Sequence, residues 1–208
     1  MSTRINLIIL ISVFSSLLGC TSKLIKPGKV QKAQWSTKAV INNIRENKSQ
    51  SLNIDIFAIK YEQARFEISA MLGFQVASVV MSPKDISYII FPQKTFFRGP
   101  TSDKSFSRMI SLQLNPMNLT YIAFDEPIRG PGWKCSKDLD GLPLSCENEK
   151  KSISVKWSDR ESGKKKVSIL APQFEMQWKF SAPQTEVQFK SETFTLNRPE
   201  GFKLVEIK

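Results

Sequence analysis

Histidine is absent from all 208 residues. Without it there is no Ser-His-Asp or Cys-His nucleophilic system, and the commonest zinc ligand is missing. Glycine is sparse, at nine residues, and none forms a phosphate-cradling loop or a GxGxxG turn. Acidic residues number 19 against 30 basic ones, and no pair of carboxylates stands in a catalytic setting. Asp138 and Asp140 lie in a Gly-Leu-Pro turn region, where aspartate serves local hydrogen bonding. There are three cysteines and no CxxC spacing, which argues against a redox or metal role. The expectation is a non-enzyme with no catalytic residue, no metal ligand and no cofactor.

The one long apolar run is at the start of the chain. Arg4 precedes Ile5 to Leu18, which is apolar except for Asn6 and a few serines. The run is short for a bilayer span and ends in small residues, so it reads as an export signal. Its ending, Leu17-Leu18-Gly19-Cys20, resembles the bacterial lipobox. That resemblance implies a signal peptide over residues 1–19 and a diacylglycerol on Cys20, which becomes the new N-terminus. Residues 20–31, with Pro27-Gly28, then form a polar tether, and residues 32–208 form one domain. Thr21, in place of the aspartate of the familiar inner-membrane retention signal, favours the outer membrane.

The net charge is +11. In an envelope compartment this suits an anionic membrane surface better than nucleic acid, although a basic surface that aids solubility explains it equally well. The cluster Lys164-Lys165-Lys166 follows Ser162-Gly163 and reads as a hairpin turn with its edge strand. Cys135 and Cys146 are separated by ten residues containing turn chemistry. An exported setting permits a disulfide between them.

Hydrophobic spacing organises the domain. Ser36 is placed to cap a helix running to about Asn47, with Trp35, Ala39, Val40 and Ile44 near one face. From Leu52 the period becomes two: Leu52, Ile54 and Ile56, then Phe66 and Ile68. Strands are predicted over 73–81, 86–91 and 95–98. Helical spacing returns at Phe106, Met109 and Ile110, and at Leu119, Ile122 and Ala123, with Asn115 as cap and Pro116 in the first turn. Alternation resumes at Ile153, Val155 and Trp157, at Val167 and Ile169, at Phe174, Met176, Trp178 and Phe180, and at Val187 and Phe189. Phe194-Thr195-Leu196 and Leu204 to Ile207 close the chain around an Asn-Arg-Pro-Glu-Gly turn. The fold class is α+β and mainly antiparallel β: one curved sheet of many strands with two or three helices inserted.

The order of these pieces resembles the LolA/LolB-like lipoprotein carriers and receptors of Gram-negative envelopes. Gln34-Trp35, a helix and Leu52 to Ala58 are similar to the family's opening helix and first strand. Arg65-Phe66-Glu67-Ile68 followed by Met71-Leu72-Gly73 is similar to the receptor's strand entering a Pro-Leu-Gly turn, with Met71 in place of the proline. Asn115-Pro116-Met117-Asn118-Leu119 resembles its helical lid, and Phe194 to Phe202 its closing strand pair. The resemblance implies an unclosed half-barrel whose apolar concave face, covered by helices, receives acyl chains. It further implies an outer-membrane lipoprotein that accepts lipid-modified proteins from a periplasmic carrier and inserts them. A lipoprotein of the same fold that holds another lipid, or serves as a structural envelope component, remains the alternative; a monomer is expected.

The aromatics, including 14 Phe, either fill a solid core or line such a cavity. If a cavity exists, Phe66, Ile68, Trp157, Met176 and Trp178 are its expected lining; a one-residue slip in strand phase reverses the face. Leu72 is the sharpest single expectation. It is either an exposed turn residue that helps cargo into the membrane, as the resemblance implies, or a core residue of one long bent strand.

Overall fold

The computed structural model describes residues 30–44, 46–106, 110 and 112–208. In it the period-two stretches become one sheet of twelve strands. The chain first lays down β1 (Lys32–Asn43), β2 (Lys48–Ile59), β3 (Gln63–Ala70), β4 (Gln75–Met81), β5 (Asp85–Ile90) and β6 (Thr95–Pro100). A crossing segment carrying α1 (Met117–Ala123) follows. The second series is β7 (Lys134–Lys137), β8 (Pro143–Asn148), β9 (Ile153–Glu161), β10 (Lys164–Ala171) and β11 (Phe174–Phe180). The short β12 (Lys203–Glu206) ends the chain. The spatial order is β12-β6-β5-β4-β3-β2-β1-β11-β10-β9-β8-β7. Two meanders are thus joined where β1 pairs with β11. Every pairing is antiparallel except β12 on β6, and the sheet curves without closing.

Residues pointing to the concave side alternate with outward ones, as the pleat requires. In β2, Leu52, Ile54, Ile56 and Ala58 are buried; in β11, Phe174, Met176, Trp178 and Phe180 are. They share one core with Phe106, Leu112, Leu114, Met117 and Ile122 from the crossing segment, which therefore lies over that face. Asn115 caps α1 as expected in chemistry: its Oδ1 accepts from Met117 N at 3.0 Å, with Pro116 in the first turn.

Four expectations are corrected. The helix from Ser36 to about Asn47 is instead β1. Its inward set, Ala33, Trp35, Thr37 and Ala39, is two alanines and a threonine around one large residue. That low contrast hides the period of two, while Val40 and Ile44, assigned to the helix face, are exposed. Full pairing on both sides, with β2 and β11, overrides the local signal. Secondly, α1 is the single α-helix among the described residues, beside one-turn 3-10 helices at Glu149–Lys151 and Ser191–Phe194. Phe106 stands in a turn, and Met109 lies outside the described residues.

Thirdly, β10 is no edge strand, being paired with β9 and β11. The turn before it is as expected, with Ser162 and Gly163 both at positive φ. Finally, Val187, Phe189 and Phe194 to Leu196 form no ladder. The chain from Ser181 to Phe202 runs as a strap across the convex face, tied by reciprocal 2.9 Å bonds between Gln34 and Gln184. Phe189 packs edge-on against Phe57 and Phe194, and Arg65 Nη1 donates to the carbonyls of Thr193 and Thr195. The strap's alternation reflects one side lying on the sheet rather than a strand pairing.

The signal peptide, Cys20, Thr21 and all of the tether but Val30 and Gln31 lie outside the described residues.

Candidate functional site

Strand directions define two ends of the half-barrel. At one end β1, β3, β5 and β10 finish and β2, β4, β6 and β11 begin. A cavity of about 320 Å³ lies between the concave face and the crossing segment toward this end. Its walls are Ile41, Leu52, Ile54, Phe66, Ile68, Ala77, Val79, Met176 and Trp178 from the sheet, with Phe106, Ile110, Leu112 and Leu119 above. Ladder register brings them together: Ile54 faces Ile68, Ile68 faces Ala77, and Ile41 faces Met176. Small Ala77 opposite Ile68 leaves room that a larger residue would fill.

Of the expected lining residues, Phe66, Ile68, Met176 and Trp178 surround this space, and Trp157 does not. Trp157 faces the same side but is buried two strands beyond β11. There the chain following α1 is fastened onto the sheet. Lys165, buried on β10, donates from Nζ to Ile122 O at 2.9 Å and Ala123 O at 2.6 Å, and pairs with Asp125 at 2.9 Å. These carbonyls end a helix, where a cation meets unsatisfied acceptors and the negative dipole end. Arg160 reaches Asp125 at 3.2 Å and Pro143 O at 2.6 Å. Buried Lys60 pairs with Glu126. Burial pushes the Lys165 ammonium down to about 8; Asp125 opposes the shift through charge and hydrogen bond, and Arg160 adds to it.

Lys165 was missed by sequence reasoning because it sits inside a lysine triplet. The available signal was its phase, since positions 165, 167, 169 and 171 share the inward face. Also missed were Asn43, Gln50, Gln93 and Gln173, which ring the cavity's mouth beside Glu46 and Lys48. Polar residues at hairpin ends read as ordinary turn chemistry and carry no separate signal.

Leu72 lies in the β3–β4 turn at the same end as the mouth. It is 86% exposed, with Met71 at 74% and Phe74 at 69%. Gly73 N donates to Ala70 O and Ala70 N to Phe74 O, with Gly73 at φ +82°. A left-handed residue following a tight turn is a site glycine adopts freely. Ile44, in the β1–β2 turn, is exposed at the same end.

Cys135 and Cys146 are bonded to each other, directly opposite on β7 and β8 with Cα atoms 4.0 Å apart. The hairpin they staple turns at the far end. Among the described residues no cluster of three or more Cys, Asp or Glu side chains suits a metal ion, and no helix is long and apolar enough to cross a membrane.

No protein-family model matches the chain, and no curated protein matches it in sequence. Solved structures do match in shape. A LolA superfamily protein from Nitrosomonas europaea superposes with a TM-score of 0.55 at 8% identity, over 82% of this chain and 93% of that one. A DUF1329 family protein from Desulfovibrio piger superposes with a TM-score of 0.53 at 11% identity, over 81% of this chain and 91% of that one. At such identities the likeness is one of fold, and the fold is LolA-like.

Proposed function

We propose that this protein is an outer-membrane-anchored lipoprotein that binds acyl chains in its concave cavity, receives lipid-modified proteins from a periplasmic carrier, and inserts them into the outer membrane. The observation that carries the reading is the cavity of about 320 Å³ walled by apolar side chains on a LolA-like sheet. Each buried methylene contributes about 0.8 kcal/mol, so a filled cavity holds a lipid anchor without catalysis or nucleotide. Release then runs downhill toward a bilayer.

Anchoring is supported by the Leu17-Leu18-Gly19-Cys20 ending, and the outer-membrane location by Thr21. The apolar turn of Met71, Leu72 and Phe74 supports insertion, being on the same end as the mouth. Lys48, Lys94, Lys150 and Lys151 also belong to connections or strand ends there, which suits an anionic membrane surface. No group of the described residues calls for enzymatic chemistry in this reading.

Depletion of the protein, followed by fractionation of other lipoproteins between the two membranes, tests the function. Retention of those lipoproteins in the inner membrane is expected. If they reach the outer membrane normally, the transfer role falls. Lipids found by mass spectrometry on the purified non-acylated domain would then leave the alternative, a lipoprotein holding another amphiphile. Replacing Cys20 with Ala should leave a soluble or an uncleaved exported protein; a variant that is cleaved and still partitions wholly into detergent would refute the anchor.

A further inference from the structure

We infer that the outward face of β1, β11, β10 and β9 docks on a bilayer of anionic headgroups, through a row of lysines that crosses these strands. The surface is read from the fold; the choice of a bilayer as its occupant rests on the anchoring at Cys20 proposed above.

Register builds the row. Lys38 on β1 stands opposite Lys179 on β11, and Lys179 stands opposite Lys166 on β10. Lys156 on β9 faces Ser168, which makes it a diagonal neighbour of Lys166. All four alternate with buried residues, as Lys179 does with Trp178 and Lys166 with Val167, so they share the convex side. Neighbouring strands are about 4.8 Å apart, well inside a Debye length. Like charges directly opposite each other work against a sheet, whereas a surface charged for solubility intersperses the two signs.

Compensation is scant. Lys166 pairs with Asp159, but Lys38, Lys156 and Lys179 have no carboxylate partner among the described residues. None comes from elsewhere, because residues 1–29, 45, 107–109 and 111 contain no Asp or Glu. On the same face Glu175 is four residues along β11 from Lys179, roughly 14 Å at the rise of a strand, and Asn42 and Gln177 engage it. Nor does the strap cover the row. It runs the other way, over Phe57 and Arg65 and on to Phe91 in the first meander, and all four lysines are exposed.

The chemistry selects the occupant. Lysine is a compact, strongly hydrated point charge suited to lipid phosphates, while protein partners are held by arginine and aromatic anchors. The ladder partners that complete this row are Asn53, Ser158 and Ser168, none of them such an anchor. Attachment agrees. The proposed tether leads into β1, the strand that carries Lys38, over no more than about 40 Å of extended chain from Cys20. Its charged residues before β1, Lys23, Lys26 and Lys29, are all basic. Docked this way, the concave cavity faces away from the bilayer, and the Leu72 turn, at a strand end, lies outside the contact.

The test reconstitutes the lipidated protein in phosphatidylcholine vesicles with and without phosphatidylglycerol, and maps brief acetylation of its lysines by mass spectrometry. Lys38, Lys156 and Lys179 should react about fivefold more slowly on the anionic vesicles, the factor that goes with the attraction of one lysine to such a surface. Lys84, in the β4–β5 turn, and Lys203, on β12, should keep their rates, and high salt should erase the difference. The triple variant Lys38→Gln, Lys156→Gln, Lys179→Gln should melt no lower than the parent, having lost the repulsion. In it Lys166, protected in the parent, should react alike on both vesicles.

Equal rates on the two vesicles, equal slowing of Lys84 and Lys203, or protection that survives high salt overturns the inference and leaves the anchor standing. Protection in intact envelopes but not on anionic vesicles points to an acidic protein and overturns it as well, and a variant that melts far below the parent makes the row structural. If the protein does not stay with neutral vesicles, the anchor falls, and the bilayer as occupant falls with it.

Discussion

Leu72 shows how a single residue separates two architectures that its neighbours leave open. A charge in a core costs several kcal/mol, whereas surface replacements stay within about 0.5 kcal/mol. Leu72 is exposed on a hydrogen-bonded turn, so Leu72→Glu should leave the unfolding free energy within about 0.5 kcal/mol of the parent. Delivery of bound cargo to liposomes should fail while cargo binding persists. A large stability loss, or unimpaired delivery, contradicts the tip assignment. Lys165 makes a different prediction, in pH. Its folded value is depressed to about 8 from 10.5, so between those values the unfolded chain holds a proton that the folded chain has released. Stability from this group therefore rises with pH across that window. In urea titrations, wild type should gain on Lys165→Met by on the order of 2 kcal/mol between about pH 7 and pH 10. A difference that stays flat, or moves the other way, would mean the burial of Lys165 carries no such cost.

The elements were legible wherever one face was strongly apolar. Runs of large buried residues at every second position, Leu52 to Ile56 in β2, Ile153 to Trp157 in β9 and Phe174 to Phe180 in β11, set phase, face and most of the cavity lining. β1 was opaque because two alanines and a threonine hold three of its four buried positions. Thr37 is satisfied there by donating to Ile54 O and accepting from Trp178 Nε1, contacts that only the folded sheet supplies. Trp157 was placed on the right face, but periodicity says nothing of which part of a face the crossing segment covers. β7 and β8 had only their cysteine pair to mark them. The disulfide closes a separation of 11 residues at the sheet's edge. Replacing both cysteines with serine should cost about 3 kcal/mol in the chain-entropy model, measured by denaturant unfolding. Hydrogen exchange should quicken first in β7 and β8. Unchanged protection there would show that the ladder alone holds the hairpin.

At the scale of the whole molecule, the convex face depends on the end of the chain. Ile89 and Phe96 point outward and are nonetheless buried, beside a recess that Leu196 and Leu204 help line. Gly99 is what lets β12 come so close: a Cβ there would stand 2.4 Å from Ile207 O and 2.7 Å from its Cβ. Gly99→Ala should therefore displace β12 from β6, uncovering apolar surface and an unpaired strand edge. Light scattering at rising concentration should show association that the parent lacks. A monodisperse variant with full stability would mean the C-terminus adapts without undocking. Sequence could not have shown this, because a parallel strand returning to β6 leaves no local turn signal, and the strap's alternation imitates a hairpin partner.

The joint between the two meanders also sets the order in which the fold can be completed. β1 is among the first parts of the domain to be synthesised, yet one side of it waits for β11, as Thr37 waits for Phe180. Until then each meander carries an open edge, and closing so long a loop is an entropic hurdle that slows assembly. On the export proposed above, the chain would meet that delay on arrival in the envelope, with Trp35, Phe66 and Trp178 not yet enclosed together. The interval before β1 meets β11 is therefore when the nascent protein is most exposed to proteases and most in need of a holding chaperone.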